Sequence, residues 1–297
     1  MAQLLGGIFT SHVPAIGNAI AKGLQDDPYW RDFFAGYRPV QAWLEAAKPD
    51  VAIVFYNDHG LNFFLDKLPT FAIGAGAAYR NADEGWGLPL FKPFNGAPAL
   101  SAHLIEGLIA DEFDMTVCQD MLVDHALAIP FELCWPHARA WPVSIVPIAI
   151  NTVQHPLPSP RRCLALGRAV GRALASWKGH ERIVVLGTGG LSHQLDGRRA
   201  GFLNPDYDRF CLDHIADEPE LLAAQSALDI VEKAGSQGVE LLNWIAARGA
   251  LGAKVTEVTR NYHIPISNTA AATMLLECQR GRPIVEGSGR QPGAIAA

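Results

Sequence analysis

Charge is scarce in this chain. Asp, Glu, Lys and Arg make up 18% of its 297 residues, against 49% hydrophobic residues. That balance supports a large core and excludes a disordered chain. The net charge is −6, so nucleic-acid binding, which rests on basic patches, is not expected. No apolar run is long enough for a transmembrane helix. The start, MAQLLGGIFTSH, lacks the basic segment of a signal peptide. The five cysteines (118, 134, 163, 211 and 278) are scattered and form no CxxC pair. That usage suits free thiols in a reducing cytoplasm, the expected location. No HxH, HxxxH or HExxH pair occurs, so local spacing announces no metal site. The GxSxG elbow is missing too, which leaves a serine hydrolase poorly supported. Residues 187–190, GTGG, could cradle a phosphate, but Ser192 stands where the dinucleotide fingerprint needs a third glycine.

What the chain does have is a repeated form. Residues 51–56, VAIVFY, are an unbroken apolar run followed by Asn57, Asp58, His59 and Gly60. Such a run, bounded by turn residues, predicts a strand buried on both faces. Residues 4–10 lead in the same way into Ser11 and His12, and residues 182–187 lead through Thr188, Gly189 and Gly190 to Ser192 and His193. Ligands of open α/β sheets bind outside the carboxyl ends of the strands, so three histidines fall where chemistry is expected.

Elsewhere, helices are predicted over residues 15–25, 39–47, 99–111, 163–177, 205–215, 219–234 and 238–247. Strands are predicted over 115–118, 143–150 and 255–264, with 72–74 a short edge strand or loop. Residues 269–276 read as a strand, with a helix as the alternative. Residues 81–94 and 151–160 read as loops from their Gly, Pro and Asp content. Alternating strands and helices with no composition break predict a single catalytic α/β domain over residues 1–280. It should hold a mixed central β-sheet with helices on both faces, followed by a loose C-terminal tail over 281–297.

Two histidines and one carboxylate on one face of Fe(II) leave three coordination positions open, the facial triad of non-haem iron oxygenases. His12 and His59 are the candidate imidazoles. Glu240 is the candidate acid, because its neighbours are apolar and Trp244 follows one turn later on the same face. A buried carboxylate is costly unless paired or bound to metal. Plainer roles exist for each. A strand-end histidine is ordinarily a hydrogen-bonded loop residue. Glu240 in a first turn favours the helix dipole. Asp58 can cap a turn.

Long segments carry a resemblance: GGIFTSHVPAIG, VFYNDHG, PTFAIG, NADEGWG, DEFDMTV, DHALAIP, GTGGLSHQLDGRRAG, GVELLNWIAARGAL and YHIPISNTA. Together, from about Gly6 to about Leu276, they resemble the beta (catalytic) subunit of protocatechuate 4,5-dioxygenase, in the class III extradiol ring-cleavage dioxygenase family. The resemblance implies Fe(II) ligands at His12, His59 and Glu240, an acid–base histidine at His193 and a further active-site histidine at His125. It implies a substrate-carboxylate contact at Ser267 and Asn268. Ala126 departs from the pattern, which has glycine there, and its methyl group could narrow the pocket. The resemblance also implies a small alpha subunit covering the active site in a hetero-oligomer. The expected reaction is extradiol cleavage of a carboxylated catechol, protocatechuate first. Gallate or 3-O-methylgallate is the alternative substrate, and a zinc-dependent hydrolase or lyase the alternative class. A non-catalytic partner subunit would be expected to lack His12 or Glu240, and both are present.

Overall fold

The apolar runs all become strands in the computed structural model, which describes residues 2–85 and 92–279. The tail over 281–297 and the middle of the 81–94 loop lie outside the described residues. In chain order come strand β1 (Gln3–Thr10), helices α1 (Pro14–Ala21), α2 (Arg31–Ala35) and α3 (Arg38–Ala47), and strand β2 (Val51–Tyr56). Strands β3 (Phe71–Gly74), β4 (Ala78–Asn81) and β5 (Phe94–Asn95) precede helix α4 (Pro98–Ala110). Then follow β6 (Thr116–Cys118), β7 (Leu122–Val123), α5 (His125–Cys134), β8 (Ser144–Ile150), α6 (Pro160–Ser176) and β9 (Arg182–Thr188). The last third holds α7 (Pro205–His214), α8 (Pro219–Ala223), α9 (Ala227–Ala234), α10 (Leu241–Ala250), β10 (Val255–Ile266) and β11 (Thr269–Cys278).

Among the described residues, eight strands form the main sheet in the order β10-β11-β1-β9-β2-β8-β3-β6. The inner four, β1, β9, β2 and β8, are parallel. β11 joins β1 antiparallel, β10 joins β11 antiparallel, and β3 joins β8 antiparallel, so the sheet is mixed as expected. β9 lies between β1 and β2 although it follows both in sequence. Parallel strands need crossovers, and the crossovers place helices on both faces. Strand β2 shows the two faces directly. Ile53 and Phe55 pack with Leu104 of α4, Val170 of α6 and Trp244 of α10. Ala52, Val54 and Tyr56 pack with Leu44 of α3 and Phe131 of α5. The period-2 alternation of a strand produces this split.

Helix α10 is buried all round. It touches α6 so closely that a Cβ on Gly167 would run into the Ala246 carbonyl oxygen. Two expectations change, and one choice is decided. β3 is not an edge strand, because β6 lies outside it. Residues 219–234 are two helices, broken where Ser226 and Asp229 form a reciprocal capping box that starts α9. Residues 269–278 are a strand, because they pair with β1 on one side and β10 on the other.

Candidate active site

Because β1, β9 and β2 run parallel and adjacent, their carboxyl ends share one edge of the sheet. His12 leaves β1 and its Nδ1 lies 3.2 Å from Thr188 Oγ1 at the end of β9. His59 leaves β2 three residues after Tyr56. Between them, Glu240 arrives from the 3₁₀ turn that starts α10. Its Oε1 stands 3.4 Å from His12 Nε2 and 3.6 Å from His59 Nε2. Its Oε2 accepts the Gly190 amide at 2.8 Å. Gly189 makes this approach possible: its φ is +123°, and a Cβ there would lie 2.6 Å from the Glu240 Cβ.

A polar frame holds the carboxylate. Asn57 Nδ2 donates to Glu240 Oε1 at 3.2 Å. Asn243 Nδ2 donates to Asn57 Oδ1 at 3.0 Å and to the Thr188 carbonyl at 2.8 Å. Trp244 Nε1 donates to the Gly189 carbonyl at 2.9 Å. His12 and Glu240 are 4% and 6% exposed, so none of this is a surface arrangement.

His193 is also buried, with its Nδ1 3.0 Å from the Leu191 carbonyl and its Nε2 3.9 Å from Glu240 Oε2. His125 opens α5, its ring centred 4.1 Å from that of His59 and 5.3 Å from that of His12. Ser267 and Asn268 sit elsewhere. They form the exposed turn between β10 and β11, with Ser267 at φ +57°. The next residue, Thr269, bridges to His193, so the turn lies at the rim beside the site rather than in its interior. The structure therefore gathers His12, His59, His125, His193 and Glu240, and leaves Ser267 and Asn268 at the edge.

The sequence pattern of a family described as the catalytic LigB subunit of aromatic ring-opening dioxygenase matches residues 6–272. The chain belongs to this family. A gallate dioxygenase of Pseudomonas putida KT2440 is 38% identical over 66% of this chain. The match spans 57% of that longer protein. A 2,3-dihydroxyphenylpropionate/2,3-dihydroxicinnamic acid 1,2-dioxygenase of Paraburkholderia xenovorans is 30% identical, over 73% of this chain and 81% of its own length. Among solved structures, an uncharacterized protein from Escherichia coli K12 covers 91% of this chain and 99% of its own at a TM-score of 0.60. With 13% identity it shows the fold alone.

The electrostatics of this LigB-family chain favour a cation. Burial pushes the Glu240 carboxyl up, but His12, His59 and His193 outweigh it and hold the group well below the usual carboxylate range. Burial pulls His59 down, yet Asp124 and Glu240 lift it to about 10. Asp124, in turn, is pushed up by burial and brought down to about 2, chiefly by His59. His125 is lowered by burial and by His59, against the pull of Glu84. His12 Nε2 is buried with no well-formed hydrogen bond. An orphaned buried nitrogen beside an ionised carboxylate fits a metal ion. The donor nitrogens of His12, His59 and His125 also lie within 4.8 Å of one another.

Sequence reading missed the supporting carboxylates. Asp124 Oδ2 accepts from both the amide and Nδ1 of His59, at 3.0 and 2.9 Å, while its Oδ1 caps α5 through Ala126 N at 2.9 Å. An Asp ahead of an apolar stretch is an N-cap signal, and that much was available in the sequence. Glu84 makes the same pair of contacts to the amide and Nδ1 of His125, at 2.9 and 2.6 Å. Nothing local in the sequence marks Glu84. Ala126 is fully buried in the first turn of α5.

Proposed function

We propose that this chain opens the ring of a carboxylated catechol beside its two hydroxyls, with dioxygen as second substrate and Fe(II) held by His12, His59 and Glu240. The observation that carries the reading is the single oxygen, Glu240 Oε1, within 3.4 and 3.6 Å of two imidazole nitrogens. Two imidazoles and one carboxylate are the ligand set that suits Fe(II) oxygenase chemistry. The family resemblance gives His125 to the substrate rather than to the metal. When bound, Fe(II) would bring catechol and dioxygen together and let electron density pass between them.

The protein's own groups do the rest. The Leu191 carbonyl holds the proton of His193 on Nδ1, which leaves Nε2 to take a proton from a ring hydroxyl and return it later. His125, whose ring lies beside that of His59, hydrogen-bonds the substrate. Ser267 and Asn268 receive the substrate carboxylate at the rim. Protocatechuate is the leading substrate. Gallate is the second reading, favoured by the 38% identical gallate dioxygenase. A small alpha subunit packs over the pocket, as the family resemblance implies.

The deciding experiment is anaerobic purification, metal analysis, and addition of Fe(II), oxygen and either protocatechuate or gallate. A yellow ring-opened product with one Fe(II) per chain is expected. Zinc-supported activity without oxygen uptake would replace this reading with the hydrolase or lyase. Glu240→Ala and His59→Ala should lose the iron, and full occupancy in either would remove that residue from the ligand set.

A further inference from the structure

We propose that Glu84 is a positioning residue for the reaction: it fixes the ring of His125 with the proton on Nδ1 and the lone pair on Nε2. The proposal deepens the ring-opening reading above and rests on it.

The placement begins with two short strands. β4 and β7 pair in parallel, Arg80 beside Leu122 and Asn81 beside Val123. The amide of Ala82 continues the pairing to the Val123 carbonyl at 2.8 Å. The two segments therefore run on side by side, and Glu84 reaches His125. Asp83 and Gly85, its neighbours, are exposed, but the Glu84 side chain is only 8% exposed. A carboxylate turned inward from an exposed loop must find donors there. It finds two on one residue, the His125 amide and His125 Nδ1.

A helix cap would need only the amide, and Asp124 already caps α5. The second contact, at 2.6 Å to the ring, is what capping leaves unexplained. A nitrogen facing a carboxylate carries the proton, so the other ring nitrogen is an acceptor. Asp124 grips the amide and Nδ1 of His59 in the same way. Two neighbouring histidines, 4.1 Å apart, are thus locked by two carboxylates with the same grip. For His125 the grip selects the ring nitrogen that can accept a hydrogen bond from a substrate hydroxyl.

The test compares full-length wild type with Glu84→Ala, Glu84→Gln and Glu84→Asp. Ring ¹⁵N shifts of labelled chains, with His125→Phe identifying the resonances, report which nitrogen holds the proton. Wild type should show Nδ1 protonated. Glu84→Ala should mix the two forms and lower kcat about 10–100-fold, the usual effect of removing a carboxylate partner from a site histidine. KM, metal content and melting temperature should stay near wild type, and Glu84→Asp should recover part of the rate. An unchanged His125 tautomer, or unchanged kcat, in Glu84→Ala would overturn the proposal. So would a rate loss that follows a matching loss of metal or of fold. If the wild-type chain opens no ring, the functional reading fails instead, and the ¹⁵N shifts still decide whether Glu84 sets His125.

Discussion

Residues at the carboxyl ends of β1, β9 and β2 divide the work by what each nitrogen faces. His193 faces a backbone carbonyl with one nitrogen and the Glu240 carboxylate, at 3.9 Å, with the other. Replacing it with Phe keeps ring bulk and removes proton transfer. His193→Phe should keep its iron, bind catechol and turn over about 10²–10⁴-fold more slowly, measured by stopped-flow product formation. Unchanged turnover would take His193 out of the reaction. Ser267→Ala should raise KM for protocatechuate about tenfold, the effect of one hydrogen bond to a charged group, and leave plain catechol little changed. Equal effects on both substrates would count against carboxylate recognition at the turn. His12, His59 and His193 were legible because each lies just past an apolar run, whereas His125 came only from the family resemblance. Asn57, Asn243, Asp124 and Glu84 were not, because their partners come from distant segments. Glu84 meets His125 only through the pairing of β4 with the two-residue strand β7, too short to leave a pattern.

Among the elements, α7 matters more than its surface position suggests. Asp208 on α7 is buried and accepts three bonds: from Ser192 N at 2.9 Å, Ser192 Oγ at 2.6 Å and Tyr262 Oη at 2.8 Å. Ser192 precedes His193, so one helix and one strand of the β10–β11 hairpin hold the loop that carries it. Asp208→Ala strands those donors at about 1–3 kcal/mol for each that stays dry. The melting temperature should fall by about 5 °C or more, at roughly 2 °C per kcal/mol for a chain this long. Burial raises the Asp208 carboxyl above its ordinary 3.8, against hydrogen bonds from Ser192 and Tyr262. A raised carboxyl adds stability below its unfolded value and loses it as pH rises through the folded value. The stability gap between wild type and Asp208→Ala should therefore narrow as pH climbs above 3.8, as urea melts at several pH values would record. A gap that widens over that range would contradict the raised value. The inner strands and most of the helices were readable from period and apolar runs, but α2 and α5 were not predicted. The break between α8 and α9 was not readable, because a capping box decided it, and the strand at β11 was read with a helix as the alternative until pairing on two sides settled it.

Over the whole molecule, exposed apolar side chains are scattered, and Phe64, Leu65 and Val153 are the ones grouped beside the His59 loop. Trp30 and Phe33 belong to the core, whereas Phe64 and Leu65 are 53% and 82% exposed. These two line a cavity of about 210 Å³ with Phe63, Leu68, Pro69 and Val153, next to Asp58 and Gly60 on the His59 loop. We propose that this group is a docking face. The expected occupant is the small alpha subunit. Phe64→Glu with Leu65→Glu should abolish its co-purification while leaving the chain's own fold intact by circular dichroism. Full activity and long-lived iron in the chain expressed alone, with no gain on co-expression, would show that no such cover is needed.

The late strand β9 between β1 and β2 also sets a timetable for synthesis. Once residues 1–150 have been synthesised, β1, β2 and β8 have been made, but the slot between the first two in the finished sheet still lacks its strand. Both walls of that slot are open hydrogen-bonding edges, the kind that invite wrong partners. Only residues 182–188 fill it, and Glu240 follows later still. Contacts between such distant segments make folding slow. The nascent chain carries His12 and His59 for most of its synthesis before Glu240 exists, so the three can come together only late, after β9 has filled its slot.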